Sequence, residues 1–114
     1  MCIRDSRQPL APADSLAAEL LGSVLEDLKP GRDSEVLLLV NGFGGTPLLE
    51  LYGMVSAAHR LLDAAGVTAV RHLTGSYVTS LAMAGCSLSL TLLDETITAL
   101  WDAPVQTAAL RWGR

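Results

Sequence analysis

Few residues in this chain have the type and spacing to do chemistry, and most of those lie around one turn. Gly42-Phe43-Gly44-Gly45-Thr46-Pro47 follows an apolar run and precedes a helical pattern. A strand that enters a glycine turn and then a helix aims backbone N–H groups at whatever lies above the helix start, which favours anions. The pattern lacks the third glycine of a dinucleotide fingerprint, and no Lys-Ser/Thr pair follows to make a phosphate-binding loop. Two readings stand. Asn41, Gly42, Gly44, Gly45 and Thr46 form a substrate-side or phosphate-side loop, or the turn is merely a tight strand-to-helix connection. Ligands gather outside the carboxyl ends of parallel strands, so Asn41 and Thr46 are the polar groups expected to face an active site.

Other candidates carry less. His59 stands beside Ala58 on a helical pattern and reads as a surface or half-buried residue. His72 sits in a strand pattern with no nearby carboxylate in sequence to orient it as a base. Ser76 is outside any G-x-S-x-G elbow, so it is not read as a nucleophile. Asp94-Glu95 reads as a helix start, where negative charge offsets the helix dipole. Cys2 and Cys86 make neither a disulfide framework nor metal-ligand spacing, and the expectation is a reducing, cytoplasmic setting with no metal site. Trp101 and Trp112 read as packing anchors.

The elements that must position these residues follow from periodicity. Pro9 to Pro12 reads as a linker, after which Asp14 or Ser15 can cap a helix carrying Leu16, Leu20, Leu21, Val24, Leu25 and Leu28 on one face. Lys29-Pro30-Gly31 stops it. Glu35–Asn41 has an all-apolar centre and reads as a strand buried on both faces. After the turn, Thr46 is expected as N-cap and Pro47 as first helical residue, with Leu48, Leu51, Tyr52, Val55, Ala58 and Leu62 facing inward and Gly66 at the stop. Val67–Leu73 is the next strand, nearer an edge because of Arg71 and His72, and completes a right-handed β-loop-α-β unit. Thr74-Gly75-Ser76 breaks the pattern. Tyr77–Ala84 is ambiguous, with one helical turn as an option. Cys86, Leu88, Leu90 and Leu92 alternate with Ser87, Ser89 and Thr91, as in a half-covered strand. Asp94 caps a short helix through Ile97, Leu100 and Trp101, and Asp102-Ala103-Pro104 leads to an extended tail ending at Trp112. The fold class is α/β, with a small mixed, largely parallel sheet flanked by helices.

The 114 residues allow one compact domain, and with half of them hydrophobic they can build a real core. A formal charge of −4 with a single lysine, Lys29, and 4% aromatic residues excludes a phosphate-backbone or base-stacking nucleic-acid binder. The longest aliphatic run, Val36–Val40, is too short to cross a membrane, and no secretory pattern opens the chain. Met1-Cys2-Ile3-Arg4-Asp5-Ser6 back-translates to a sequence resembling the end of a transposon-based sequencing adapter. Residues 1–6 are therefore expected to be non-native and carry no function.

The residues also carry a resemblance. Val40-Asn41-Gly42-Phe43-Gly44-Gly45-Thr46-Pro47-Leu48-Leu49-Glu50-Leu51-Tyr52 resembles the V-N-x-x-G-x-T-P-x-x-E-L-Y signature of dihydroxyacetone (glycerone) kinases, in their substrate-binding K subunit or domain. The likeness continues through Gly75-Ser76-Tyr77-Val78-Thr79-Ser80-Leu81, Met83-Ala84-Gly85, Leu100-Trp101-Asp102-Ala103-Pro104-Val105 and Ala109-Leu110-Arg111-Trp112. It spans Arg7 to Arg114, which it identifies as a C-terminal part of the K domain, within that fold's second domain. Ala82, Gln106 and Ala108 depart from the family's usual Asp, His and Pro.

The resemblance implies a kinase subunit that binds dihydroxyacetone and presents it for phosphorylation to dihydroxyacetone phosphate. In the family the ketone is held covalently as a hemiaminal on a histidine of a Gly-Ile-His-Gly-Glu-Pro-Gly motif. An R-x-P-L-like segment, here Arg7-Gln8-Pro9-Leu10, follows that motif, so the capturing histidine is expected upstream and no catalytic residue within this chain. The chain alone is then expected to be inactive and to need no cofactor. ATP with magnesium, or ADP on a phosphotransferase-system partner, is implied on the L subunit or domain. Dihydroxyacetone, the L partner and a second copy are the expected partners. The alternative is a catalytically inactive relative acting as a binding or regulatory module.

Overall fold

The computed structural model describes residues 13–113. The Met1–Ser6 segment and the Pro9–Pro12 linker lie outside them. The elements run α1 (Ala13–Leu28), β1 (Glu35–Gly42), α2 (Leu48–Ala64), β2 (Thr68–Gly75), β3 (Cys86–Leu92), α3 (Glu95–Asp102), β4 (Val105–Gln106) and β5 (Arg111–Trp112). Three strands form a mixed sheet in the order β2-β1-β3, with β1 parallel to β2 and antiparallel to β3. This is the expected α/β arrangement of a small mixed sheet with helices.

The core follows from the alternation along β1. Val36, Leu38 and Val40 are fully buried, and around them pack Ala17 and Leu21 of α1 and Leu51, Val55, Ala58 and Leu62 of α2. Leu88 and Leu90 of β3, in register with Val40 and Leu38, join the same cluster. The other face differs from expectation. Leu37 and Leu39 are only half-buried, so β1 is covered fully on one face rather than on both. Both α1 and α2 pack on the Leu38 side. Arg71 pairs in register with Leu37 and reaches across the opposite side to the end of α3, where its guanidinium holds both Asp102 oxygens at 2.7–2.8 Å.

Several boundaries also differ. Asp14 and Ser15 lie within the first turn of α1 rather than ahead of it, and Asp14 instead pairs with Arg60 of α2 at 2.7 Å. Lys29, with φ of 49°, ends α1 as expected, and Gly66, with φ of 76°, follows the Ala65 cap of α2. Strand β2 continues through Thr74 and Gly75, where a break was expected, because these residues pair with Val40 and Asn41. Tyr77–Ala84 contains no helical turn; it is an irregular loop. Asp94 caps α3 as expected, its carboxylate accepting from the Ile97 N–H at 2.7 Å. The tail is not simply extended. It folds back as a β4–β5 hairpin around Thr107–Leu110, and the Trp101 and Trp112 rings pack at 5.0 Å while the Trp112 indole donates to the Ala103 carbonyl.

Candidate functional site

The carboxyl ends of β1 and β2 carry two loops, the glycine turn and the Ser76–Gly85 segment, and these are knitted together at three points. The first is Asn41, only 3% exposed. Its side-chain oxygen accepts from the Tyr77 and Val78 N–H groups at 2.8 and 2.9 Å, and its amide nitrogen donates to the Val78 carbonyl at 2.8 Å. A buried amide with its oxygen doubly engaged and a donor bond made has little left for a ligand. The second point is the Phe43 carbonyl, which accepts from the Ser80 hydroxyl at 2.9 Å and from the Met83 N–H at 3.2 Å. The third is Thr46. Its hydroxyl accepts from the Gly85 N–H at 2.8 Å and donates to the Gly85 carbonyl at 3.1 Å.

Thr46 is therefore not the helix cap that its sequence position suggests. Pro47 occupies the N-cap, and no side chain caps α2. The physical reason is competition. A threonine hydroxyl beside a passing backbone forms a reciprocal pair with it, satisfying two groups where a cap would satisfy one.

The glycines serve the same contact. Gly44 adopts φ of 98°, and a Cβ there would lie 2.6 Å from the Ser80 carbonyl oxygen. A Cβ on Gly45 would lie 2.8 Å from the Met83 carbonyl carbon. The Gly45 N–H donates to the Met83 carbonyl at 2.9 Å. The Gly45 N–H and the space beside Gly44 and Gly45 are taken by the second loop. The glycine turn is thus a tight connection packed against the Ser76–Gly85 loop. Ser80 is a member of this contact that no local sequence pattern marks. The run of small polar residues after a strand end marks a loop but not its partner. The Ser80 hydroxyl donates to the Phe43 carbonyl and accepts from the Met83 N–H at 3.2 Å.

On their outer side these loops present apolar groups. Leu81 is fully exposed, Leu49 at the start of α2 is 83% exposed, and Val78 is 76% exposed. The remaining candidates lie elsewhere. His59 and His72 meet edge to face, with ring centroids 5.9 Å apart, between α2 and the middle of β2. Cys86 is half-buried, and desolvation holds its thiol pKa above the ordinary value, which disfavours the reactive thiolate. An open cleft of about 560 Å³ lies at the opposite end of β1, bordered by Glu35, Asp94, Glu95 and Asp102. Two of those carboxylates are already used, by the α3 cap and by Arg71. Among the described residues no group of three His, Cys, Asp or Glu side chains could hold a metal ion, and no helix is long and apolar enough to cross a membrane.

A comparison with known families matches the Dak1 domain over residues 5–109. The chain belongs to that family. Over 79 residues it is 49% identical to the dihydroxyacetone-binding subunit of the PEP-dependent dihydroxyacetone kinase of Escherichia coli, covering 69% of this chain and 22% of that protein. It is 38% identical to D-erythrulose kinase of Mycolicibacterium smegmatis over 95% of this chain and 19% of that enzyme. Among solved structures, the dihydroxyacetone kinase operon co-activator Dha-DhaQ superposes with a TM-score of 0.77 at 29% identity, over 85% of this chain and 31% of that one. This Dak1 chain thus spans a fifth to a third of these relatives. Its kinship is with subunits and enzymes of ketose phosphorylation, and its fold is shared with a co-activator.

Proposed function

We propose that residues 7–114 are the C-terminal part of a kinase subunit that binds dihydroxyacetone, or a closely related short ketose, and presents it for phosphorylation. The Dak1 match, reinforced by the 49% identity to a dihydroxyacetone-binding subunit, carries this reading. The erythrulose kinases among the relatives widen the substrate class by one carbon. In this reading the capturing imidazole lies upstream of Arg7, and this chain supplies scaffold. Asn41 and Thr46 act by holding the Ser76–Gly85 loop in place. The phosphoryl group comes by way of an L subunit or domain, either from ATP with magnesium or from a phosphotransferase-system partner that phosphorylates ADP held there. The protein is cytoplasmic and works as a homo-oligomer.

A second reading has its own support. The co-activator's shared fold favours a binding or regulatory module that keeps the architecture without the chemistry. Extending the gene upstream of Arg7 and incubating the full-length protein with dihydroxyacetone separates the two. Intact-mass analysis showing one ketose adduct on an upstream histidine supports the kinase subunit. A full-length protein with no adduct supports the module.

A further inference from the structure

The end of β1 carries a dipeptide that the fold itself makes chemically labile. Asn41 and Gly42 are both buried, and each is fixed for a separate reason. Asn41 supplies the three bonds to the Tyr77 and Val78 backbone. Gly42 answers to packing. A Cβ there would lie 2.9 Å from a Leu51 methyl carbon and 2.9 Å from the Ser76 hydroxyl oxygen. Leu51 is a buried core residue with little room to give way. The two demands together put asparagine before glycine, the order in which no following side chain shields the backbone nitrogen from the asparagine side chain. Asn41 is the only asparagine in the sequence.

We infer that Asn41-Gly42 is a covalent modification site, a deamidation centre that the clamp to Tyr77 and Val78 keeps closed and that opening of the Ser76–Gly85 loop releases. The Gly42 amide nitrogen gives its proton to solvent base and bonds to the side-chain carbonyl carbon of Asn41. The bond from that carbon to the side-chain nitrogen breaks, and ammonia leaves. Water then opens the cyclic imide at either carbonyl, leaving aspartate or isoaspartate and one more negative charge. The nitrogen must first approach the carbon at about 3–3.5 Å. In the closed fold the Asn41 side chain is held to the Tyr77–Val78 backbone, and its own backbone is held extended between Gly75 of β2 and Ser87 of β3. Ring closure requires both restraints to be released. The loop that carries the clamp is tied back by Ser80 to Phe43 and by Thr46 to Gly85. Neither product restores the closed state. Aspartate sets a carboxylate oxygen against the Val78 carbonyl, and isoaspartate inserts an extra backbone carbon into β1. Each opening that reacts is thus recorded in the chain. The step uses none of the kinase chemistry, so it stands under either functional reading.

The chain is incubated in mildly alkaline buffer, folded and in urea, and the amide-to-acid mass gain is followed with peptide mapping of aspartate and isoaspartate at position 41. Conversion is expected to be slower in the folded chain by about tenfold or more. Thr46→Ala frees the Gly85 end of the loop. It is expected to speed conversion in the folded protein several-fold, and to raise hydrogen exchange at the Tyr77 and Val78 amides by a similar factor. A urea series below the unfolding midpoint tests the same correlation if that variant folds poorly. Equal conversion rates in folded and unfolded chains would overturn the inference, as would an unfolded chain that does not convert. So would Tyr77 and Val78 amides that exchange faster while conversion at Asn41 stays unchanged. The converted protein is then refolded. Tyr77 and Val78 amides left unprotected support the one-way step, and wild-type protection there refutes it.

Discussion

One buried side chain, Asn41, ties the end of β1 to the Tyr77–Val78 backbone. Sequence alone put it at the end of a buried strand and beside a turn, and so made it a candidate for contact with a ligand. The structure gives it three bonds to a segment more than thirty positions away. No local pattern encodes such a pairing, because it depends on β2 delivering the Tyr77 backbone to the end of β1. Asn41→Ala leaves two N–H groups and a carbonyl without protein partners and is expected to destabilise the fold by about 3 kcal/mol. Asn41→Asp keeps the acceptor for both N–H groups but sets a buried carboxylate oxygen against the Val78 carbonyl, so it too should lower the midpoint of chemical denaturation. An Asn41→Ala protein that unfolds with the wild-type midpoint would show that the clamp contributes nothing. Thr46 makes a similar case at smaller scale. Thr46→Ala is expected to cost about 1 kcal/mol, and Thr46→Ser to restore it, because the hydroxyl pairing with Gly85 is what matters. The side chains and spacing of these residues were visible in the sequence; their partners were not.

At the scale of elements, the periodic segments were readable because their signal is internal. The apolar stripe of α2, the alternation of β3 and the Asp94 cap each describe one element packing against a core. Structure departs from local periodicity where one element depends on another. Strand β2 outlasts its apolar run because Thr74 and Gly75 pair with β1, and the tail turns back because Thr107 and Leu110 close a hairpin. The glycine turn belongs to this scale, since its conformation serves the neighbouring loop. Gly44→Val combines φ of 98° with a clash against the Ser80 carbonyl and is expected to cost about 3 kcal/mol. Gly22→Ala and Gly53→Ala are the controls. Both positions are helical with open space around the added methyl, so each should stabilise by about 0.5–1 kcal/mol. Thermal melts of the three variants that failed to separate Gly44 from the other two would remove the loop-contact explanation. The Arg71–Asp102 pair ties α3 to the sheet in a comparable way. The Asp102 carboxyl is held below its ordinary pKa, chiefly by hydrogen bonding to Arg71. Its contribution is present above the unfolded-state pKa and is lost as pH falls through the lowered folded value. Because the pair is largely exposed, the effect should be small and weakened by salt. Asp102→Asn should reduce the acid-side slope of stability against pH.

For the molecule as a whole, the disposition of apolar surface and of imidazoles leads to one expectation about activity. Leu37 and Leu39 are half-covered on the second face of the sheet, and Leu81, Leu49, Val78 and Leu100 are largely exposed. Such a surface favours association, so sedimentation of the isolated chain should show mass rising with concentration. Covalent capture of a ketone has stricter requirements. A neutral imidazole nitrogen must be aimed at the carbonyl carbon, in a pocket that fixes the ketone. The two histidines of this chain face each other edge to face, away from the loops at the carboxyl ends of the strands. Neither occupies a motif that would aim it at a substrate. Incubated with dihydroxyacetone and examined by intact mass, the isolated chain is expected to show no adduct, and with ATP and an L partner no dihydroxyacetone phosphate. If the proposed function is right, a full-length protein should form the adduct, and His59→Ala and His72→Ala should leave it unchanged. An adduct on either of those histidines in the isolated chain would mean that the capturing group had been sought in the wrong part of the protein.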